Sequence, residues 1–183
     1  MIDDQQVPLI RRRYREVFGA SLRPSFAAWM HHGGNGASGA GLGYHRAGSA
    51  PLFLEAYLDE PVEQAVSAAL GRTIEREQIV EIGNFAADNA LSMMSLWGAA
   101  ANDLAGASEV AVATLTAPLR AMFARIGLPI AVIAPARPER LGEVTDDWGS
   151  YYDLDPQVCA GVISDGQRAI SRFLSRRREK IAA

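Results

Sequence analysis

Cysteine and lysine are nearly missing from this chain, and so is any long apolar run. Cys159 is the only cysteine in 183 residues, so neither an internal disulfide framework nor a cysteine-rich zinc site can be built from it. No stretch of roughly 18 uninterrupted apolar residues exists to span a bilayer. The opening MIDDQQVPLIRRRYREVF lacks the apolar core of a secretory signal. The expectation is a soluble, cytoplasmic protein. Lys180 is the only lysine among 18 cationic side chains, a bias that carries no functional message. A basic surplus is lacking as well: the formal net charge is -3. Residues 24–163 hold seven basic side chains against sixteen acidic ones, while 1–23 and 164–183 are basic. An acidic body with basic ends argues against nucleic-acid binding, which needs a basic face carrying stacking or base-reading groups.

What is present is apolar material in short, punctuated runs. Hydrophobic residues make up 49% of the chain, enough at this length for one sizeable core and one domain. PLIRRRYREVF predicts an amphipathic first helix stopped by Gly19. SFAAWM and AGLGYHRA predict two strands around the turn-rich HHGGNGASG. PLFLEAYL predicts a third strand, and PVEQAVSAALG a helix that Gly71 ends. IVEIGNFAA reads as a buried strand with Gly83 at a bulge or a close backbone approach. It leads into the helix ALSMMSLWGAAANDLAG, capped by Asp88 or Asn89. EVAVATLT, the helix APLRAMFARIG and the strand PIAVIA follow, then a turn of helix at RPERLG and the aromatic, acidic loop DDWGSYYDLDP. Strand and helix alternate from 79 to 134, which predicts an α/β fold with helices covering a sheet that the earlier strands extend in antiparallel fashion.

Ligands of such sheets bind beyond the carboxyl ends of strands, where helices begin. That rule selects 85–90 and 115–120, and with them Phe85, Thr114 and Arg120 as substrate-binding candidates. Glu81 is a carboxylate in a strand that should be dry. It is either a general base whose pKa burial raises towards neutrality or a structural acid bonded to backbone or arginine. Asn84 either orients a polar substrate group or satisfies the bulge. Glu55 and Tyr57, two residues apart on a predicted strand, would share a face and line a pocket; the alternative is a solvated strand end. Asp147, Trp148, Tyr151 and Tyr152 can close over an apolar chain while a carboxylate receives an ammonium group, or simply pack a long loop. His31, His32 and His45 lack the spacing of a closed metal site, so no metal is expected. Ser92 and Ser95 have no nucleophile elbow around them. Cys159, in PQVCAGVI, suits a buried, inert thiol.

PLFLEAYLDEPVEQAV, IVEIGNFAA, TAPLRAMFARIGLP and DDWGSYYDLDPQVCAG, in that order, resemble the thermostable haemolysin family over about residues 10–165. That family in turn resembles a divergent branch of the GNAT acyltransferases, nearest in pattern to acyl-homoserine-lactone synthases. The resemblance implies a GNAT-like α/β fold with a mixed central sheet and helices on both faces. It also implies transfer of an acyl group from a thioester to an amine, with Glu81 matching the acid of the synthase motif and Phe85 its aromatic. Asn84 stands where that motif has arginine. NFAADNALS has neither the glycines nor the cation of the usual pyrophosphate cradle at a helix start. The implied co-substrate is therefore acyl-CoA or, at least equally, an acyl carrier protein, with no permanently bound cofactor.

Residues 1–163 are expected to form the domain and 164–183 a basic amphipathic C-terminal helix. That helix would dock on the domain, bind an acidic carrier protein or lie on anionic lipid. Two other functions stay open: a membrane-active haemolysin-like protein, and a non-catalytic partner of a biosynthetic acyltransferase.

Overall fold

The computed structural model describes residues 6–22, 26–33 and 39–182, without the side chains of 6–7, 143–147, 178 and 180–182. In chain order the elements are α1 (Gln6–Phe18), β1 (Ala28–His32), β2 (Ala40–Arg46), a 3-10 turn (Phe53–Tyr57) and α2 (Val62–Leu70). Then come β3 (Ile79–Ala87), α3 (Ala90–Leu104), β4 (Val110–Leu115), α4 (Ala117–Ile126) and β5 (Ala131–Pro135). A run of 3-10 turns (Pro138–Leu154), β6 (Gln157–Val162) and α5 (Ile163–Ala182) complete the chain.

Six strands form one mixed sheet in the order β1-β2-β3-β4-β6-β5. β1, β2 and β3 are antiparallel neighbours, β3 and β4 are parallel, and β6 runs antiparallel between β4 and β5. The expected antiparallel extension by the early strands is what is found. Alternation along β3 and β4 divides the core between two faces. Ile79, Val110 and Val112 pack with α2 and the first 3-10 turn, whereas Val80 packs with Leu96 and Leu104 of α3 and Ile163 of α5.

Two expectations are corrected here. PLFLEAYL is not a strand: Phe53–Tyr57 is a 3-10 turn, because Glu55 reaches back to the Leu52 amide at 2.8 Å and closes the turn on itself. β6, read only as an apolar setting for Cys159, is a central strand whose buried Val158, Cys159 and Ala160 sit between β4 and β5. Local chemistry elsewhere follows the sequence. The Asn89 side chain accepts from the Ser92 amide at 2.9 Å and caps α3, while Asp88 instead accepts from the Gly39 amide and from Arg12. Gly71 and Gly127 end α2 and α4 in left-handed conformations, the geometry that favours glycine there. α5 starts directly after β6 and docks on α3 through buried Ile170, which packs over Gly98, and through Gln167, which donates to Ala101 O and Asn102 Oδ1. Arg168, Arg172, Arg176 and Arg177 on the same helix are exposed. No helix among the described residues is long and apolar enough to cross a membrane.

Candidate functional site

The site is produced by a failure of strand pairing. β3 and β4 are bonded only from Ile79 to Glu81 against Val110 to Val112. Beyond that point each keeps its outer neighbour: β3 stays on β2 as far as Ala87, and β4 stays on β6 as far as Leu115. The two strands therefore part, and a cavity of about 930 Å³ opens at the split. Residues 81–87 form one wall and Thr114, Thr116 and Leu119 another; α1 and the 3-10 segment before β6 contribute Tyr14, Phe18, Trp148 and Tyr151.

A bulge in β3 shapes the first wall. Gly43 pairs with Gly83 and Gly41 with Ala86, so Leu42 alone faces both Asn84 and Phe85. The extra residue, Asn84, takes φ 52°, a left-handed conformation that asparagine tolerates better than most residues. One inserted residue exchanges the faces that follow. Phe85 joins Val80 and Ile82 on the α3 side, and Ala86 turns towards α1. The bulge expected at Gly83 falls next to it, at Asn84, and what approaches Gly83 closely is a side chain: a Cβ on Gly43 or Gly83 would collide with the Phe26 ring, at 2.6 Å in the former case.

Glu81 sits where the two strands separate. It is 3% exposed yet lines the cavity. Its two oxygens accept from the Phe53 amide at 2.8 Å and the Leu54 amide at 3.1 Å, the first two N–H groups of the 3-10 turn. Burial raises its pKa to about 7 against the opposing pull of those two amides, with the nearby Glu55 charge adding to the rise. An acid tuned to neutrality and still bonded to fixed donors can take a proton from a cationic ligand and return it.

Glu55, on the same turn, has the opposite fate. Its oxygens accept from Arg76 Nη1 at 2.7 Å and Nη2 at 2.8 Å, and from the Leu52 and Val62 amides. Arg76 also holds Glu63 at 2.9 Å. The hydrogen-bonded Arg76 guanidinium lowers the Glu55 pKa to about 2. Glu55 does not line the cavity; the shared face expected for Glu55 and Tyr57 is lost with the strand. Tyr57 does line it, and its hydroxyl lies 2.6 Å from that of Tyr152. Burial and that contact push the Tyr57 pKa far up, so the phenol stays protonated.

The other candidates separate in the same way. Asn84 is 8% exposed and lines the cavity, as do Phe85, Thr114, Trp148 and Tyr151. Tyr151 donates to the Thr114 carbonyl at 3.2 Å, linking the 3-10 segment to β4. Tyr152 is not on the lining; it stands behind it, with its hydroxyl on that of Tyr57 and its ring against those of Trp148 and Tyr151. Arg120 is not on the lining; it donates to Leu115 O, Asp155 O and Asp155 Oδ2, each at 2.6 Å, and ties the end of β4 to the start of β6. The side chain of Asp147 lies outside those described. Cys159 is buried, and burial pushes its thiol up to about 11. Among the described residues no group of three His, Cys, Asp or Glu side chains could hold a metal ion.

Sequence reasoning missed Phe53, whose amide and ring both serve the site, and Tyr14 and Phe18 of α1. The signal for Phe53 was its place two residues before the acid of FLE; the long separation of α1 from β3 left no signal for the other two.

A sequence model described as thermostable hemolysin matches residues 4–167. The chain belongs to that family. Among curated proteins no match was found. Solved structures similar to this member of the family share its fold at low identity. TofI in a ternary complex with an inhibitor and MTA is 18% identical, with a TM-score of 0.59, over 93% of this chain and 91% of that one. FeeM, an N-acyl amino acid synthase from uncultured soil microbes, is 14% identical, with a TM-score of 0.55, over 89% and 86%. BjaI, a CoA-dependent acyl-homoserine lactone synthase solved with SAM and isopentyl-CoA, is 13% identical, with a TM-score of 0.53, over 94% and 83%. The fold is GNAT-like, as its sequence resemblance implied.

Proposed function

We propose that this hemolysin-family protein is an N-acyltransferase that moves an acyl group from a thioester to an amine. The observation that carries the reading is Glu81: a dry carboxylate with a pKa of about 7, pinned at the point where β3 and β4 part and exposed only to the cavity between them. Of the similar folds, FeeM is described as an N-acyl amino acid synthase and BjaI as a CoA-dependent acyl-homoserine lactone synthase; this supports the class of reaction without specifying the substrates.

In this reading the thioester lies along the split between β3 and β4, and its acyl chain rests on the apolar lining. The amine arrives as an ammonium ion and gives a proton to the Glu81 carboxylate. The neutral nitrogen attacks the thioester carbonyl, a C–N bond forms, the C–S bond breaks, and the thiol leaves protonated. The Phe53 and Leu54 amides keep the carboxylate aimed throughout, and Asn84 offers a side-chain amide to orient a carbonyl or the amine. The donor is held by an acyl carrier protein or by coenzyme A; the first turn of α3, capped by Asn89, carries neither glycine nor a basic residue of its own.

Purified protein incubated with acyl thioesters and a panel of primary amines should release thiol and form amide. Replacing Glu81 with Gln should reduce turnover by about 100-fold or more. Absence of amine-dependent thiol release, or release indifferent to Glu81→Gln, would reject the reading.

A further inference from the structure

Among the described residues the cavity lining combines one carboxylate, Glu81, with a cluster of aromatic rings, and that combination selects among amines. The ring of Phe53 lies 5.9 Å from that of Trp148 and 6.1 Å from that of Tyr57, the latter nearly perpendicular at 78°. Trp148 is in turn 5.3 Å from Tyr151. All four line the cavity together with Glu81, and the Phe53 amide is the shorter of the two bonds to its carboxylate. Aromatic faces carry negative potential and attract organic cations; a carboxylate does the same. Both features repel an anion.

An α-amino acid cannot meet that surface without conflict. Its carboxylate is one carbon from its nitrogen, so placing the nitrogen on Glu81 brings two carboxylates within about 5 Å by ordinary bond lengths. Like charges at that distance in a partly dry site repel far more strongly than in water. A site that accepts amino acids needs a cation to offset this. Among the described residues, Arg13 on α1 is the one basic side chain on the lining, and its Nη1 already donates to Glu16 at 3.0 Å.

We infer that the acceptor is a primary amine without an α-carboxylate and with a flat apolar body, an arylalkylamine being the matching class, whose ammonium group is received by Glu81 among Phe53, Tyr57, Trp148 and Tyr151. The inference rests on the acyl-transfer reading and narrows it. Protons balance as follows: of the two that leave the ammonium nitrogen, one departs on the thiol and the other passes to solvent. The thioester supplies the acyl group, and no oxidant or reductant is required.

The test uses three acceptors of one skeleton: phenethylamine, phenylalanine and phenylalanine methyl ester. Each is supplied with decanoyl-N-acetylcysteamine, and amide is quantified by mass spectrometry. Binding of each amine without donor is followed in parallel by calorimetry on wild type, Trp148→Leu and Phe53→Leu. Phenethylamine and the ester should each be acylated at least tenfold faster than the amino acid, and both aromatic variants should weaken phenethylamine binding about tenfold. Phenylalanine used as well as phenethylamine would overturn the inference and leave acyl transfer standing. No amide from any acceptor, with phenethylamine still bound more tightly than phenylalanine and weakened by both variants, would uphold the ligand class and reject the transfer reaction. No amide and no such binding would reject both.

Discussion

The two ends of the short 3-10 turn at Phe53–Tyr57 show how one element can hold two carboxylates in opposite states. Towards the cavity, its first amides hold Glu81, which burial drives to a pKa of about 7. Towards α2, Glu55 receives a bidentate arginine and two backbone amides and falls to about 2. Both acids are hydrogen-bonded to backbone, so backbone contacts do not separate them. The difference is a cation together with depth of burial, Glu81 being the drier of the two. Arg76 compensates Glu55, whereas for Glu81 the desolvation outweighs two neutral donors. A permanently charged acid is useful as a brace, and one poised at neutrality is useful as a base. The turn therefore joins a structural pair to a reactive group.

Several changes would break that contrast. The largest effect on stability is expected from Glu55→Ala, which leaves the partly buried Arg76 with only Glu63 and the Ala47 carbonyl as partners among the described residues and frees the Leu52 and Val62 amides. About 3 kcal/mol should be lost, read from urea denaturation. A loss below about 1 kcal/mol would mean that the brace is ornamental. Next is the pH dependence of folding. Glu81 keeps its proton in the folded chain up to about pH 7 but loses it near 4.5 once unfolded. Its contribution to stability is thus complete below pH 4.5 and disappears as pH rises through 7, amounting to at most about 3 kcal/mol. Wild type should lose stability across pH 5 to 8 with a slope that Glu81→Gln lacks; parallel curves would contradict the raised pKa. The smallest effect belongs to Tyr57→Phe, which removes one hydroxyl contact to Tyr152 and should cost about 1 kcal/mol in melting experiments. A larger loss would make the tyrosine pair part of the brace.

Much of the fold is legible in the sequence where punctuation is strong. Gly71 and Gly127 close helices, Asn89 caps one, and IVEIGNFAA is a strand because it is a short, mostly apolar run with β-branched and aromatic residues, bounded by polar residues. The misreadings have the opposite cause. In PLFLEAYL a single side chain, Glu55, closes the turn on the Leu52 amide and is fixed by Arg76, 21 residues away; periodicity is blind to such a bond. β6 carries glycine and alanine and gains its identity from β4 and β5 on either side. Glu81 and Asn84 were visible as polar residues in an apolar strand. The split between β3 and β4 was not, since it depends on where pairing stops rather than on any residue type. Arg120 illustrates the same limit: its position at the start of α4 was correctly read, but its carbonyl and carboxylate partners come from β4 and Asp155.

The central claim, that Glu81 is the base of an amine-acylating site, is tested most directly by the pH profile of single-turnover amide formation with saturating amine and thioester. The rate should rise with pH to a plateau through a midpoint near 7, and Glu81→Gln should remove both the midpoint and nearly all of the rate. A midpoint that survives in Glu81→Gln, or a wild-type rate that is flat from pH 5 to 8, would contradict the account.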